Sequence, residues 1–144
     1  MIIKETVFFD DYNYLKNKNE LIHYLKNIFE KKCYKKMYIK KINKILKKSN
    51  IIIDNNDFQL HYKVDFTLDI NELKVNEGEK MKVKITDKHP KLGLISKNEY
   101  TFIYILNSIQ DFDKININDI IEVKIEKVKY NKNTNKIVIV AKII

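Results

Sequence analysis

The sequence predicts an α+β fold in two parts: a strand–helix–sheet domain over residues 1–74, then a small all-β barrel over 75–144. Three observations carry this. Phe58, Leu60, Tyr62, Val64, Phe66, Leu68 and Ile70 alternate without a fault with Gln59, His61, Lys63, Asp65, Thr67 and Asp69, the pattern of a strand dry on one face and wet on the other. Leu21, Ile22, Leu25, Ile28 and Phe29 recur at helical spacing. From Met81 onward, five short β-rich runs are packed between turn signals.

The elements follow in order. Ile2–Phe9 is β-branched and aromatic and reads as a strand that ends at Asp10-Asp11. A helix opens at Asn19-Glu20 and runs to about Lys31. Residues 31–48 hold nine lysines and no acid. There Tyr34, Tyr38, Ile42, Ile45 and Leu46 fit a helix, while Met37, Ile39 and the following Ile51–Ile53 favour a strand, and periodicity leaves both open. Asn50–Ile53 is a short strand, Asp54–Asp57 a turn, and Phe58–Ile70 the long strand. The second part reads as strands at Met81–Ile85, Leu92–Ser96, Tyr100–Leu106, Ile120–Lys129 and Ile137–Ile143. Asp87–Pro90 is a turn, residues 107–119 a loop, and Asn131–Asn135 the last hairpin turn. Close spacing with a terminal hairpin fits a closed barrel better than a sandwich, and five strands at this size match the oligonucleotide-binding (OB) type.

Composition removes whole classes of function. Two glycines, Gly78 and Gly93, leave no clustered phosphate loop. A single cysteine, Cys33, excludes a disulfide framework and a multi-cysteine zinc site. No run of about 18 apolar residues reads as a membrane span, and the opening residues lack a signal-peptide layout. An intracellular protein is expected. His23, His61 and His89 have no spacing that suggests a triad or a metal, and no close acid pair sits on an apolar background. No catalytic residue, metal or cofactor is therefore expected.

The formal charge is +9, from 28 lysines against 19 acids, with no arginine. Such basicity fits a nucleic-acid partner, although an excess of Lys, Asn and Ile also reflects an AT-rich genome. Lysine contacts phosphate as a point charge and lacks the arginine fork that reads guanine. Binding should then be sensitive to salt and weakly selective for sequence. Tyr100, Phe102 and Tyr104 fall on one side of a strand; Thr101, Ile103 and Ile105 fall on the other. Rings on the third strand of an OB barrel would offer stacking platforms. Both sides are apolar, so either can be the core.

Taken together, Val7–Phe29 (VFFDDYNYLKNKNELIHYLKNIF), Lys32–Ile53, Phe58–Ile70 (FQLHYKVDFTLDI), Val75–Ile85 (VNEGEKMKVKI), Lys91–Ser96, Tyr100–Ile109 and Asn118–Ile144 resemble, in that order, a known family. It is the stalk subunit of multisubunit RNA polymerases: the seventh subunit of eukaryotic RNA polymerase II, with archaeal and poxvirus or virus-like counterparts. Its members join an N-terminal tip domain, a truncated RNP-like fold, to a C-terminal five-stranded OB barrel. The likeness covers nearly the whole chain and tips residues 32–48 towards strand. It departs where Leu73-Lys74-Val75 replaces a usual proline and where Asp54–Asp57 replaces turn glycines, a cheap change because Asn and Asp tolerate left-handed geometry.

The resemblance implies a non-catalytic subunit of a DNA-directed RNA polymerase. The tip would dock near the clamp of the large subunits, with Asn13, Lys16, Asp54, Asn55, Asn56 and Asp57 as docking candidates on exposed loops. A small companion stalk subunit is a further possible partner. The barrel would contact nascent single-stranded RNA through Lys84, Lys97, Tyr100, Phe102 and Tyr104. A cytoplasmic site is expected for a virus-like source and a nuclear one otherwise. Two alternatives remain: a free-standing OB-type RNA-binding factor of translation or RNA processing, and a structural subunit without RNA binding.

Overall fold

The computed structural model describes residues 1–56 and 59–144. Mixed α+β structure is seen, mostly strand with few helices, in two curled sheets. The chain divides into two compact units: residues 1–31 with 39–72, and residues 32–38 with 73–144. No helix among the described residues is long and apolar enough to cross a membrane.

The first unit opens with β1 (Ile2–Phe9), a short turn of helix α1 (Asn13–Lys16) and the helix α2 (Lys18–Phe29). Asn17 caps α2 by accepting from the Asn19 N–H, one of the donors that a helix start leaves orphaned. Strands β3 (Met37–Lys48), β4 (Ile52–Asn56) and β5 (Gln59–Leu73) follow. The long alternating segment is β5, with β1 on one edge in antiparallel register, Ile3 opposite Leu68 and Val7 opposite Val64. Val64, Phe66, Leu68 and Ile70 are buried with Ile3, Val7 and Phe9. The apolar stripe of α2, Leu21, Leu25 and Phe29, adds to this core. Phe9 joins helix to sheet, its ring 4.9 Å from Tyr24 and 6.1 Å from Phe66.

Residues 32–48 are strand, β2 (Lys32–Tyr34) and β3, so the helical reading of this block does not stand. The reason is visible at its start. Lys31 adopts a positive φ of 57° and its N–H bonds the Ile39 carbonyl, which breaks the helix and turns the chain into a hairpin. The turn expected at Asp54–Asp57 also needs correction. β4 runs through Asp54, Asn55 and Asn56 in register with His61, Leu60 and Gln59, and Asp57, like Phe58, lies outside the described residues.

The second unit holds β6 (Lys80–Lys84), β7 (Asp87–His89), β8 (Gly93–Lys97), β9 (Thr101–Leu106), α3 (Ile109–Lys114), β10 (Ile120–Asn131) and β11 (Lys136–Ile143). Strand order in its sheet is β6-β10-β11-β9-β8-β7. All pairings are antiparallel except β9 with β11, which is parallel. The two strands at the ends of that order, β6 and β7, are consecutive in the chain, with Ile85 and Thr86 between them. Ile85 hydrogen-bonds towards β10, through Asp119 and Asn118, while Thr86 bonds the Ile95 carbonyl of β8. Val83, Ile85, Leu94, Ile103, Ile105, Val123, Ile125, Ile137, Ile139 and Ala141 line the core.

Two expectations change here. The turn placed at Asp87–Pro90 is strand as far as His89, and the chain turns after it, where His89 Nδ1 accepts from the Lys91 and Leu92 N–H groups. The loop after β9 contains α3, opened by a capping box in which Ser108 Oγ accepts from the Asp111 N–H and Asp111 Oδ2 accepts from the Ser108 N–H. Residues 32–38 also pack with this unit. Cys33 and Tyr38 sit in its core, and Cys33 Sγ lies 3.4 Å from the Lys136 carbonyl.

Candidate nucleic-acid interface

Strand β9 answers the question its composition left open. Thr101, Ile103 and Ile105 are buried, at 5%, 1% and 2% exposure, and Phe102 and Tyr104 stand on the opposite, outer face, half-buried. The Phe102 and Tyr104 rings are 4.7 Å apart and inclined at 45°. Lys97 is the register partner of Phe102 on β8, and its Nζ lies 5.1 Å from the centre of that ring. At that distance the ring face attracts the ammonium.

Tyr100 does not join this pair. It precedes β9, packs on the core of the second unit and places its ring 5.2 Å from Tyr38. Lys84 is exposed on β6 opposite Ile120 and makes no ring contact or ion pair among the described residues. Of the five residues expected to touch RNA, the structure groups Lys97, Phe102 and Tyr104.

The sheet adds residues that the linear sequence hides. Parallel pairing sets Val138 beside Phe102 and Val140 beside Tyr104. On the next strand Lys129 faces Val138 and Lys127 faces Val140. Register partners share a face, so the outer surface runs ring, valine, lysine in two adjacent rows. Lys127 and Lys129 reach this face because β10 bulges between Ile125 and Lys127. Up to Ile125 the odd-numbered residues point inward; beyond the bulge Lys127 and Lys129 are exposed while Val128 and Tyr130 turn towards the core. Composition alone offered no sign of that switch.

On this face Lys97 has a counter-charge. Asp87 Oδ2 is 3.8 Å from Lys97 Nζ, both side chains about half exposed. Such a surface pair contributes about 0–1 kcal/mol and yields to salt or to a competing anion. A phosphate approaching Lys97 competes with Asp87 for it.

Cys33 lies apart from this face, 8% exposed, and burial pushes its thiol above the ordinary value. A thiol held neutral is a poor nucleophile. His23 is exposed on α2, His61 stacks edge-on to Phe8 at 6.5 Å, and His89 serves its own turn. No group of three or more His, Cys, Asp or Glu among the described residues is arranged to hold a metal.

The docking candidates lie in the first unit. Asn13 and Lys16 are exposed on α1; Asn13 N–H is held by Asp11 Oδ1, and Lys16 Nζ lies 5.4 Å from the Tyr12 ring. Asp54, Asn55 and Asn56 are strand residues of β4. Beside them Ile52, Ile53 and Leu60 are 55%, 63% and 49% exposed, Ile53 and Leu60 on one face of the β4–β5 pairing and Ile52 on the other. The alternation predicted Leu60 to be buried, but the buried run of β5 begins only at Val64. No protein-family model matches the chain, and no curated protein matches it.

Proposed function

We propose that this chain is a non-catalytic, RNA-contacting stalk subunit of a DNA-directed RNA polymerase. The observation that carries the RNA half is the outward Phe102–Tyr104 pair beside Lys97, with Lys127 and Lys129 two strands away. Rings give every base a π-face to stack on and lysines follow the phosphates, a combination that binds single strands with little sequence preference. The strand order supports the barrel type. If β6 and β7 are two halves of one bent strand, the sheet has five strands with its first and last neighbours joined, a parallel third–fifth pair and a helix between the third and fourth. That is how an OB barrel is built, and its second and third strands, here β8 and β9, form the oligonucleotide-binding face.

The polymerase half rests on the resemblance in module order. Exposed Ile53 and Leu60, on one face of the β4–β5 pairing, support it, because neighbouring apolar side chains left bare suit a partner-facing site. On this reading the first unit is the tip domain and docks on the large subunits, while the second meets emerging RNA.

Anisotropy with labelled single-stranded RNA tests the RNA half. Binding should weaken steeply between about 50 and 200 mM salt. Phe102→Ala should weaken it by about 1–3 kcal/mol, one lost base stack, and leave thermal unfolding close to wild type. Its neighbour Ile103, 1% exposed, should behave in the opposite way: Ile103→Ala costs about 2–5 kcal/mol of stability. No binding at low salt, or an unfolded Phe102→Ala, contradicts the assignment.

A further inference from the structure

Beyond the ring pair the same outer face deepens into a groove. Apolar Leu106, Val140 and Ile143 line it together with charged Lys127, Lys142 and Glu126, and it reaches the start of α3, with a volume of about 880 Å³. Register makes it continuous with the ring pair. Val140 is the partner of Tyr104, and one step further Lys142 is the partner of Leu106. Leu106 is 56% exposed, a large apolar side chain left uncovered at the groove edge.

We propose that this groove is a second nucleotide subsite, holding the next nucleotides of an RNA strand already stacked on Phe102 and Tyr104. The inference rests on the RNA-binding reading above and adds a site to it. Three features fit a nucleotide. Leu106, Val140 and Ile143 offer apolar surface, as a base requires, and the volume falls in the range of about 300–1,000 Å³ usual for small-molecule sites. Lys127 and Lys142 are exposed and make no ion pair among the described residues, so both ammoniums are free for phosphate. At the α3 end the Asp111 carboxylate is turned back onto its own helix start, where Oδ2 accepts from Ser108 N–H, and a phosphate is expected at the lysine side instead. Glu126, the residue at the bulge, leaves a carboxylate that accepts from an amino group on a base edge. A strand that leaves Tyr104 towards Leu106 finds apolar side chains with Lys127 and Lys142 within the same groove.

The test is RNA length. Labelled oligonucleotides of about four and about eight nucleotides span the lower part of the site sizes found for such barrels. Wild-type protein should bind the longer RNA more tightly than its extra binding registers account for. Lys142→Glu should remove that gain, by about tenfold, and weaken the shorter RNA far less, while Phe102→Ala weakens both alike. Lys142→Gln, which keeps length without charge reversal, should give a smaller loss in the same direction and serves if the reversal perturbs folding. If the short RNA binds and the long one gains nothing, or Lys142→Glu weakens both equally, the groove assignment is wrong and the RNA reading survives. If neither RNA binds wild-type protein, the RNA reading fails and the groove assignment falls with it.

Discussion

At the scale of single residues, one strand carries two opposite duties. Thr101, Ile103 and Ile105 serve the core, and Phe102 and Tyr104 serve the outside. The sequence showed the alternation but not its sign, because both sets are apolar and only the neighbouring strands decide which is covered. Thr101 is the flaw in the inner set: its hydroxyl is buried without a hydrogen-bond partner among the described residues. Burying an unpaired hydroxyl costs about 1–3 kcal/mol. Thr101→Val keeps the branched shape and removes the hydroxyl, so it should raise the unfolding temperature; a fall would show that the oxygen has a partner, such as a water. A second residue-level effect concerns alkaline pH. Burial raises the Cys33 thiol above its ordinary 9.0, and burial first, then the Glu99 carboxylate, raises Tyr38 above its ordinary 10.0. The unfolded chain releases these protons at the ordinary values while the folded chain holds them. The fold therefore binds more protons in that window, and stability falls as pH rises beyond about 9. Denaturant midpoints should be flat for these groups below that pH and decline above it, and Cys33→Ala should delay the onset.

At the scale of elements, legibility followed the strength of periodicity. β1 was legible to the residue because Ile2–Phe9 has both β-branched content and a hard stop at Asp10-Asp11. α2 and β5 were found from their spacing, with ends off by a few residues, as element boundaries fray. The lysine block was ambiguous because its apolar residues fit both periods. What decided it was a backbone event at Lys31, a residue type that does not announce a positive φ. α3 was missed outright, since Ile109–Lys114 is too short for a periodic signal and has no fully buried residue, only Phe112 half-buried against the core. Its sign was local chemistry: Ser108 followed three residues later by Asp111, the reciprocal cap. Ser108→Ala should therefore melt this turn of helix at a cost of about 1 kcal/mol. Amide exchange measures it, with faster exchange expected at residues 111–115 and none of that change in β9 or β11. Unchanged protection at Phe112 and Ile115, whose N–H groups bond the Ser108 and Asp111 carbonyls, would contradict the cap's role.

At the scale of the whole molecule, the sequence conveyed the α+β class and the existence of two parts. It did not convey that residues 32–38 belong with the second part. That assignment comes from Cys33 and Tyr38 finding their packing partners about a hundred residues on, at Lys136, and some sixty on, at Tyr100, a long-range fact that no local pattern records. The grouping of residues on the candidate face was half legible for the same reason. Lys97, Phe102 and Tyr104 sit on adjacent strands of one hairpin, whereas Val138, Val140, Lys127 and Lys129 join them only through a parallel pairing and a bulge. On the proposed function, one chain is responsible for two contacts, a polymerase body and its transcript. A tagged chain carrying a photo-crosslinking amino acid in place of Phe102, purified from its native source and allowed to transcribe under illumination, tests both at once. Large RNA polymerase subunits should co-purify, and labelled nascent RNA should become attached at position 102. A chain that purifies without those subunits, or a transcribing complex whose RNA never couples to that position, would contradict the stalk assignment.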